Sequence, residues 1–154
     1  MTFQITGLDP APFAHLHALS DEQLASGGMS RVRVEQENFA PCRVSLDDAE
    51  IGEAVILLNF THQAADTPYH QQGPIFIREV SERVVVRDKI PPALARRTLS
   101  LRGFDAANMM IEAELTEGAE ATALIERFFA NPAVAYIHAH YARRGCFAAL
   151  IERA

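Results

Sequence analysis

Between Val134 and Cys146 the chain places two histidines, two arginines, two tyrosines and a cysteine in an otherwise strand-like run. In extended backbone alternate side chains share a face, so Tyr136, His138 and His140 point one way while Ile137, Ala139 and Tyr141 point the other. Successive imidazoles then stand about 7 Å apart along the strand. Arg143, Arg144 and Gly145 read as a turn that returns Cys146 along the same sheet. A thiol beside Arg144 and near His138 or His140 can act as a nucleophile, with imidazole as base and the arginine holding a substrate anion. The ordinary alternative is a small buried cysteine and sheet-face histidines that only satisfy hydrogen bonds. The imidazole pair also supplies half of a tetrahedral site that Cys42, Cys146 or His62 would complete. The usual Cys and His spacings for such a site are missing, so no metal and no cofactor is assigned.

A second group consists of Arg43, His62, Tyr69 and His70. Arginine in a cleft suits carboxylate or phosphate recognition, and the stretch from Thr61 to Gly73 reads as a long polar loop, well beyond the usual connection of about 4 to 6 residues. The plain alternative is that Arg43 pairs with Asp47, Asp48 or Glu53 and merely holds its loop. Glu112 and Glu114 share a strand face and resemble paired carboxylates, although the solvated side of an amphipathic strand has the same pattern.

Several elements must position these groups. Phe3 to Thr6 suits a short strand, and a weak helical pattern containing His15 and His17 follows Pro10 and Pro12. Ser20 and Gln23 form a capping box, Leu19 and Leu24 a hydrophobic staple, and Gly27-Gly28 a stop. Arg31 to Glu35 alternates as a strand, and Val44 to Leu46 suggests another. Ala54 to Phe60 reads as apolar throughout, a central strand buried on both faces, with Pro74 to Arg78 as its neighbour. Val84 to Val86 extends the sheet, and Pro91 to Arg97 begins as a short helix. Thr98–Arg102 and Met109–Leu115 form a hairpin pair. Ala121, Leu124, Ile125, Phe128 and Phe129 recur at helical spacing, which predicts one long helix over about 119–130 that ends at Asn131-Pro132. Phe147 to Ile151 reads as a buried strand, with a short helix as the alternative. The expectation is an α+β fold, with a mainly antiparallel sheet carrying that long helix and short helices packed on it.

The 154 residues suit one domain, 1–154, with 49% apolar and 22% charged residues and no biased tract. A net charge of −6 argues against nucleic acid and anionic membranes as partners. Arg96-Arg97 and Arg143-Arg144 are each too short to make a basic patch. The first residues show neither a basic flank nor an apolar core, so no secretory signal is expected. No apolar run is long enough for a membrane span, and a cytoplasmic location is the default. Cys42 and Cys146 lie outside any Cys-x-x-Cys pair and are expected as free thiols.

Further residues carry a family resemblance: Pro41 to Leu46, Gly52-Glu53 ahead of an apolar strand, Pro68-Tyr69 with Gly73 to Phe76, and Tyr136 to His138 with Arg144 to Cys146. In this order they resemble the bacterial family of domain of unknown function 1203, from about Val32 to the C-terminus. The resemblance implies a compact single-domain bacterial protein and carries no activity or catalytic residue with it.

Together these readings predict one polar pocket where the His138–His140 strand, the Thr61–Gly73 loop and the Cys42-Arg43 turn meet. It would bind a small anionic metabolite through Arg43, His62, Tyr69, His70 and Arg144, with His138, His140 and Cys146 as candidate acid/base or thiol groups. The alternative is a non-enzymatic protein, a homodimer whose sheet face or edge is the working surface.

Overall fold

The computed structural model describes residues 2–154, and Met1 lies outside them. Among the described residues nine strands run in the order β1 (Phe3–Thr6), β2 (Ser30–Arg33), β3 (Ala54–Gln63), β4 (Gln71–Ile77), β5 (Val85–Arg87), β6 (Thr98–Phe104), β7 (Met110–Glu117), β8 (Tyr136–Tyr141) and β9 (Phe147–Arg153). The α-helices are α1 (Asp21–Ser26), α2 (Pro92–Ala95) and α3 (Ala121–Ala130), with 3-10 segments at Ala11–Ala18 and Gly118–Glu120.

The strands form two antiparallel sheets where the sequence suggested one. The larger has the order β5-β1-β9-β8-β6-β7 and the smaller the order β2-β3-β4. One face of the larger sheet packs Leu99, Leu101, Ile137, Ala139 and Ile151 against Leu124, Ile125, Phe128 and Phe129 of α3. That is the apolar stripe the helical spacing marked. The smaller sheet buries Ile56, Leu58, Ile75 and Ile77 with Phe13, Leu16 and Leu24 from the helical N-terminal region. At the far end of β3, Phe60 and His62 lie against Phe147 of β9, with ring centroids 6.4 and 5.2 Å apart.

The helix predicted over about 119–130 is shorter than expected. Its α-helical part is the ten residues of α3, led in by the three-residue 3-10 turn Gly118–Glu120. Gly118 is pressed against α2, where an added Cβ would sit 2.7 Å from the Arg97 carbonyl oxygen and closer still to that of Leu94. The fold is therefore α+β with mainly antiparallel strands and only short helices.

Other boundaries also move. The Thr61–Gly73 stretch is strand at both ends: β3 continues to Gln63 and β4 begins at Gln71, with a register shift between Thr61 and Gln63. The connecting loop is only 64–70. Ala54–Phe60 is not buried throughout, because Asn59 is exposed. Val44–Leu46 forms a turn region with no strand. Phe147–Ile151 is strand rather than helix. The capping box at Ser20 and Gln23 is present in both directions. Among the described residues no helix is long and apolar enough to cross a membrane.

Candidate functional site

The chemistry-bearing residues divide between two hollows. The first is built around the β8–β9 hairpin. Gly145, at φ +79°, occupies the left-handed region that glycine enters without strain, and its N–H donates to the Tyr141 carbonyl at 2.7 Å. The tight turn leaves Arg143 and Arg144 exposed and Cys146 half-buried. Facing them, the end of α2 supplies Arg96 and Arg97, both braced by Asp48. Arg97 donates to both Asp48 oxygens, at 2.6 and 3.0 Å, and Arg96 to Oδ2 at 2.9 Å. Arg97 also donates to the Ala93 and Asn38 carbonyls, so its guanidinium serves as a fixed wall.

Between these two banks lies a cavity of about 440 Å³, lined by five arginines, one glutamate (Glu117), Phe39, Phe76, Tyr141 and Cys146 among others. Its size falls within the roughly 300–1,000 Å³ of small-molecule sites. The charge balance is the reverse of the whole chain, whose net charge is −6.

Arg43 forms the inner wall and is 1% exposed. It donates to the Phe147 carbonyl at 2.7 Å, to the Pro41 carbonyl, and to Cys146 Sγ at 3.1 Å. Its guanidinium carbon is 5.0 Å from the centre of the Tyr141 ring, and that of Arg97 is 5.2 Å from it. The alternative, a pairing of Arg43 with Asp47, Asp48 or Glu53, does not occur. The aspartates pair with Arg96 and Arg97, and Glu53 pairs with Arg78. Burial pulls the Arg43 pKa below its ordinary value, because a cation is costly to desolvate. The Tyr141 hydroxyl is buried without a hydrogen-bond partner, and burial pushes its pKa up to about 12.

The second hollow holds the histidines. His138 and His140 share a face of β8 as the alternation predicted, with ring centroids 6.4 Å apart. His62 joins them from β3, 6.1 and 4.9 Å away respectively. Its ring stacks on Phe147 at an angle of 6°, and its Nε2 is 3.1 Å from Gln71 Oε1. Tyr69, His70 and Arg102 complete a space of about 180 Å³, below the usual range for a ligand cavity. Burial lowers the pKa of His138 to about 4 and of His140 to about 3, so both rings are neutral at neutral pH. His140 Nδ1 is 3.0 Å from the Gly145 carbonyl, while His138 Nδ1 and His62 Nδ1 are buried without partners. Among the described residues no group of three or more His, Cys, Asp or Glu side chains is arranged to hold a metal ion.

Of the residues expected in one pocket, Arg43, Arg144 and Cys146 line the first hollow, and His62, Tyr69, His70, His138 and His140 the second. The imidazoles and the thiol therefore line different spaces, and the group that contacts Cys146 Sγ is Arg43. Cys42 is fully buried, its sulfur accepting N–H groups from Val44 and Arg78 at 3.3 Å, and both cysteines are free. Glu112 and Glu114 do not act as a pair: Glu114 meets Arg127, and Asn131 reaches Glu112 at 3.4 Å. Sequence reasoning missed Arg96, Arg97, Tyr141 and Phe39 as site residues. Two Arg-Arg pairs in connections on one side of a sheet were the available signal.

Taken together, fold and site describe an α+β protein of two antiparallel sheets with an arginine-lined cavity at one hairpin. The chain belongs to the family described as "Protein of unknown function (DUF1203)", whose family model matches residues 39–153. That match begins a few residues after the expected boundary near Val32. No curated protein and no solved structure matches the chain.

Proposed function

We propose that this protein binds a small anionic metabolite, a carboxylate or a phosphate ester, in the cavity between α2, the Pro41–Arg43 segment and the β8–β9 hairpin. The observation that carries this reading is the charge left unmet there: Arg96 and Arg97 are held by Asp47 and Asp48, whereas the buried Arg43 and the exposed Arg143 and Arg144 have no carboxylate partner among the described residues. A buried cation is costly unless an anion or a dense set of acceptors surrounds it. An entering anion supplies that charge, while Arg143 and Arg144 at the mouth remain free to grip it. The aromatic rings of Phe39 and Tyr141 offer the apolar surface that most ligand cavities combine with a few polar groups.

The test is thermal melting with inorganic phosphate, citrate and a panel of monocarboxylates, each against sodium chloride at matched ionic strength. A ligand at about ten times its Kd stabilises by roughly 1.4 kcal/mol, which raises Tm by about 3 to 6 °C at this chain length. The double variant Arg143→Ala/Arg144→Ala removes two exposed side chains and should lose most of that rise. If no anion outperforms chloride, or the variant responds as the wild type does, the reading fails.

A different reading is favoured by edge strand β7, where Ile111 is 40% and Leu115 64% exposed on a strand with one unpaired side. Two such edges could pair in a homodimer. In the same melting series, a Tm that rises with protein concentration and ignores every anion would support this assembly.

A further inference from the structure

We propose that Cys146 is a thiol–disulfide exchange site for a small disulfide bearing carboxylate groups, an inference that rests on the anion-binding reading of the same cavity. Cys146 is the half-buried cysteine and lines the cavity, whereas Cys42 is fully buried. Arg43 Nη2 donates to its sulfur at 3.1 Å. A thiolate formed there meets a guanidinium that two backbone carbonyls hold in place. The wall of the cavity also carries an unmet group: Tyr141 lines it, is 5% exposed, and its buried hydroxyl has no partner. Buried polar groups rarely stay unpaired, so this hydroxyl marks hydrogen-bonding capacity beside the cavity that the chain itself leaves unused.

The mouth of the cavity supports the acidic character of the disulfide. Arg143 and Arg144 are exposed, without a carboxylate partner among the described residues, and within three residues of the sulfur in the same turn. The Arg144 guanidinium sits over the Phe39 ring, 5.9 Å from its centre, which holds the charge at the rim. In the reaction Cys146 gives its proton to solvent, and the thiolate attacks one sulfur of the disulfide. The new Cys146 S–S bond forms as the substrate S–S bond breaks. The second half leaves as a thiolate with the bonding electron pair and takes a proton from water. The disulfide is the oxidant, reduced by half to a free thiol, while Cys146 is oxidised to a mixed disulfide.

The test compares two probes at neutral pH and low salt, the dianionic dithiobis(nitrobenzoate) and the neutral dithiodipyridine, each releasing a coloured thiol. The ratio of their rate constants is measured on the protein and on N-acetylcysteine amide. Charge focusing should raise the ratio on the protein by roughly tenfold or more. The gain should collapse at about 1 M salt, where the screening length falls to about 3 Å, and in Arg143→Ala/Arg144→Ala. Cys146→Ser should abolish the fast thiol equivalent and leave only slow reaction at Cys42. A ratio equal to that of the model thiol, a ratio unchanged in the double arginine variant, or a fast thiol surviving in Cys146→Ser would each overturn the proposal. The two readings fail differently. Melting shifts with phosphate or citrate together with a model-thiol ratio leave anion binding standing and remove exchange at Cys146, whereas absence of both removes the two readings together.

Discussion

Arg43 shows what a single side chain can be asked to do. At 1% exposure its planar fork reaches two carbonyls and a sulfur at once, and it lies against an aromatic face. Those contacts tie the Pro41–Arg43 segment to the start of β9, so the residue shapes the cavity as well as charging it. Arg43→Ala would leave the Pro41 and Phe147 carbonyls without this donor and should cost about 3 to 5 kcal/mol, read from urea denaturation. Arg43→Lys should recover less than half of the loss, because an ammonium lacks the rigid fork that meets all three acceptors. Full recovery by lysine would show that charge alone matters here and geometry does not.

At the scale of elements, the cavity depends on two short connections held against each other. The β8–β9 turn carries Arg143, Arg144 and Cys146, and the connection that follows α2 carries Arg96 and Arg97. The position of α2 is set by Gly118, whose N–H donates to the Arg97 carbonyl at 2.8 Å. A methyl group at that position would collide with backbone, which cannot give way as a flexible side chain can. Gly118→Ala should therefore destabilise by about 1 to 3 kcal/mol. It should also weaken anion binding by shifting the arginine wall, measurable as a smaller phosphate-induced rise in Tm than in the wild type. A fully stable variant with unchanged anion response would mean that α2 is held by its other contacts.

For the molecule as a whole, the meeting of the two sheets has a consequence for acid stability. His138 and His140 from β8, with His62 from β3 and the Arg102 guanidinium beside them, form a desolvated group in which a proton is unwelcome. The folded pKa values of about 4 and about 3 lie below the ordinary 6.5. Above pH 6.5 the rings are neutral in both folded and unfolded chains and no stability is lost. As pH falls below that value the unfolded chain takes up protons that the folded one refuses. Stability then declines by up to about 1.4 kcal/mol per pH unit for each ring, and this contribution levels off below the folded pKa. Denaturation curves between pH 7.5 and 4.5 should show that slope, and His138→Leu should reduce it by about half, the share of His140 remaining, without loss of stability at neutral pH, since His138 Nδ1 has no partner to lose. An unchanged slope in the variant would place the acid sensitivity elsewhere.

The sequence alone determined the local pattern. Alternation put His138 and His140 on one side of β8, the capping box set the start of α1, and the apolar stripe marked the face of α3. These depend on backbone periodicity and neighbours a few residues away, so they are legible without any tertiary contact. Which distant groups meet was decided by the tertiary structure. Arg96-Arg97 and Arg143-Arg144 lie far apart in the chain and look too short to form a patch, yet pairing of β6 with β8 brings Thr98 beside the Tyr141–Cys146 turn, with the Ala142 N–H donating to the Thr98 carbonyl at 3.0 Å. The same register parts the histidines from Cys146, because His138 and His140 project toward β3 while the turn beyond Tyr141 opens toward α2. Strand register is set by burial summed over a whole sheet, a quantity that no single stretch of sequence contains.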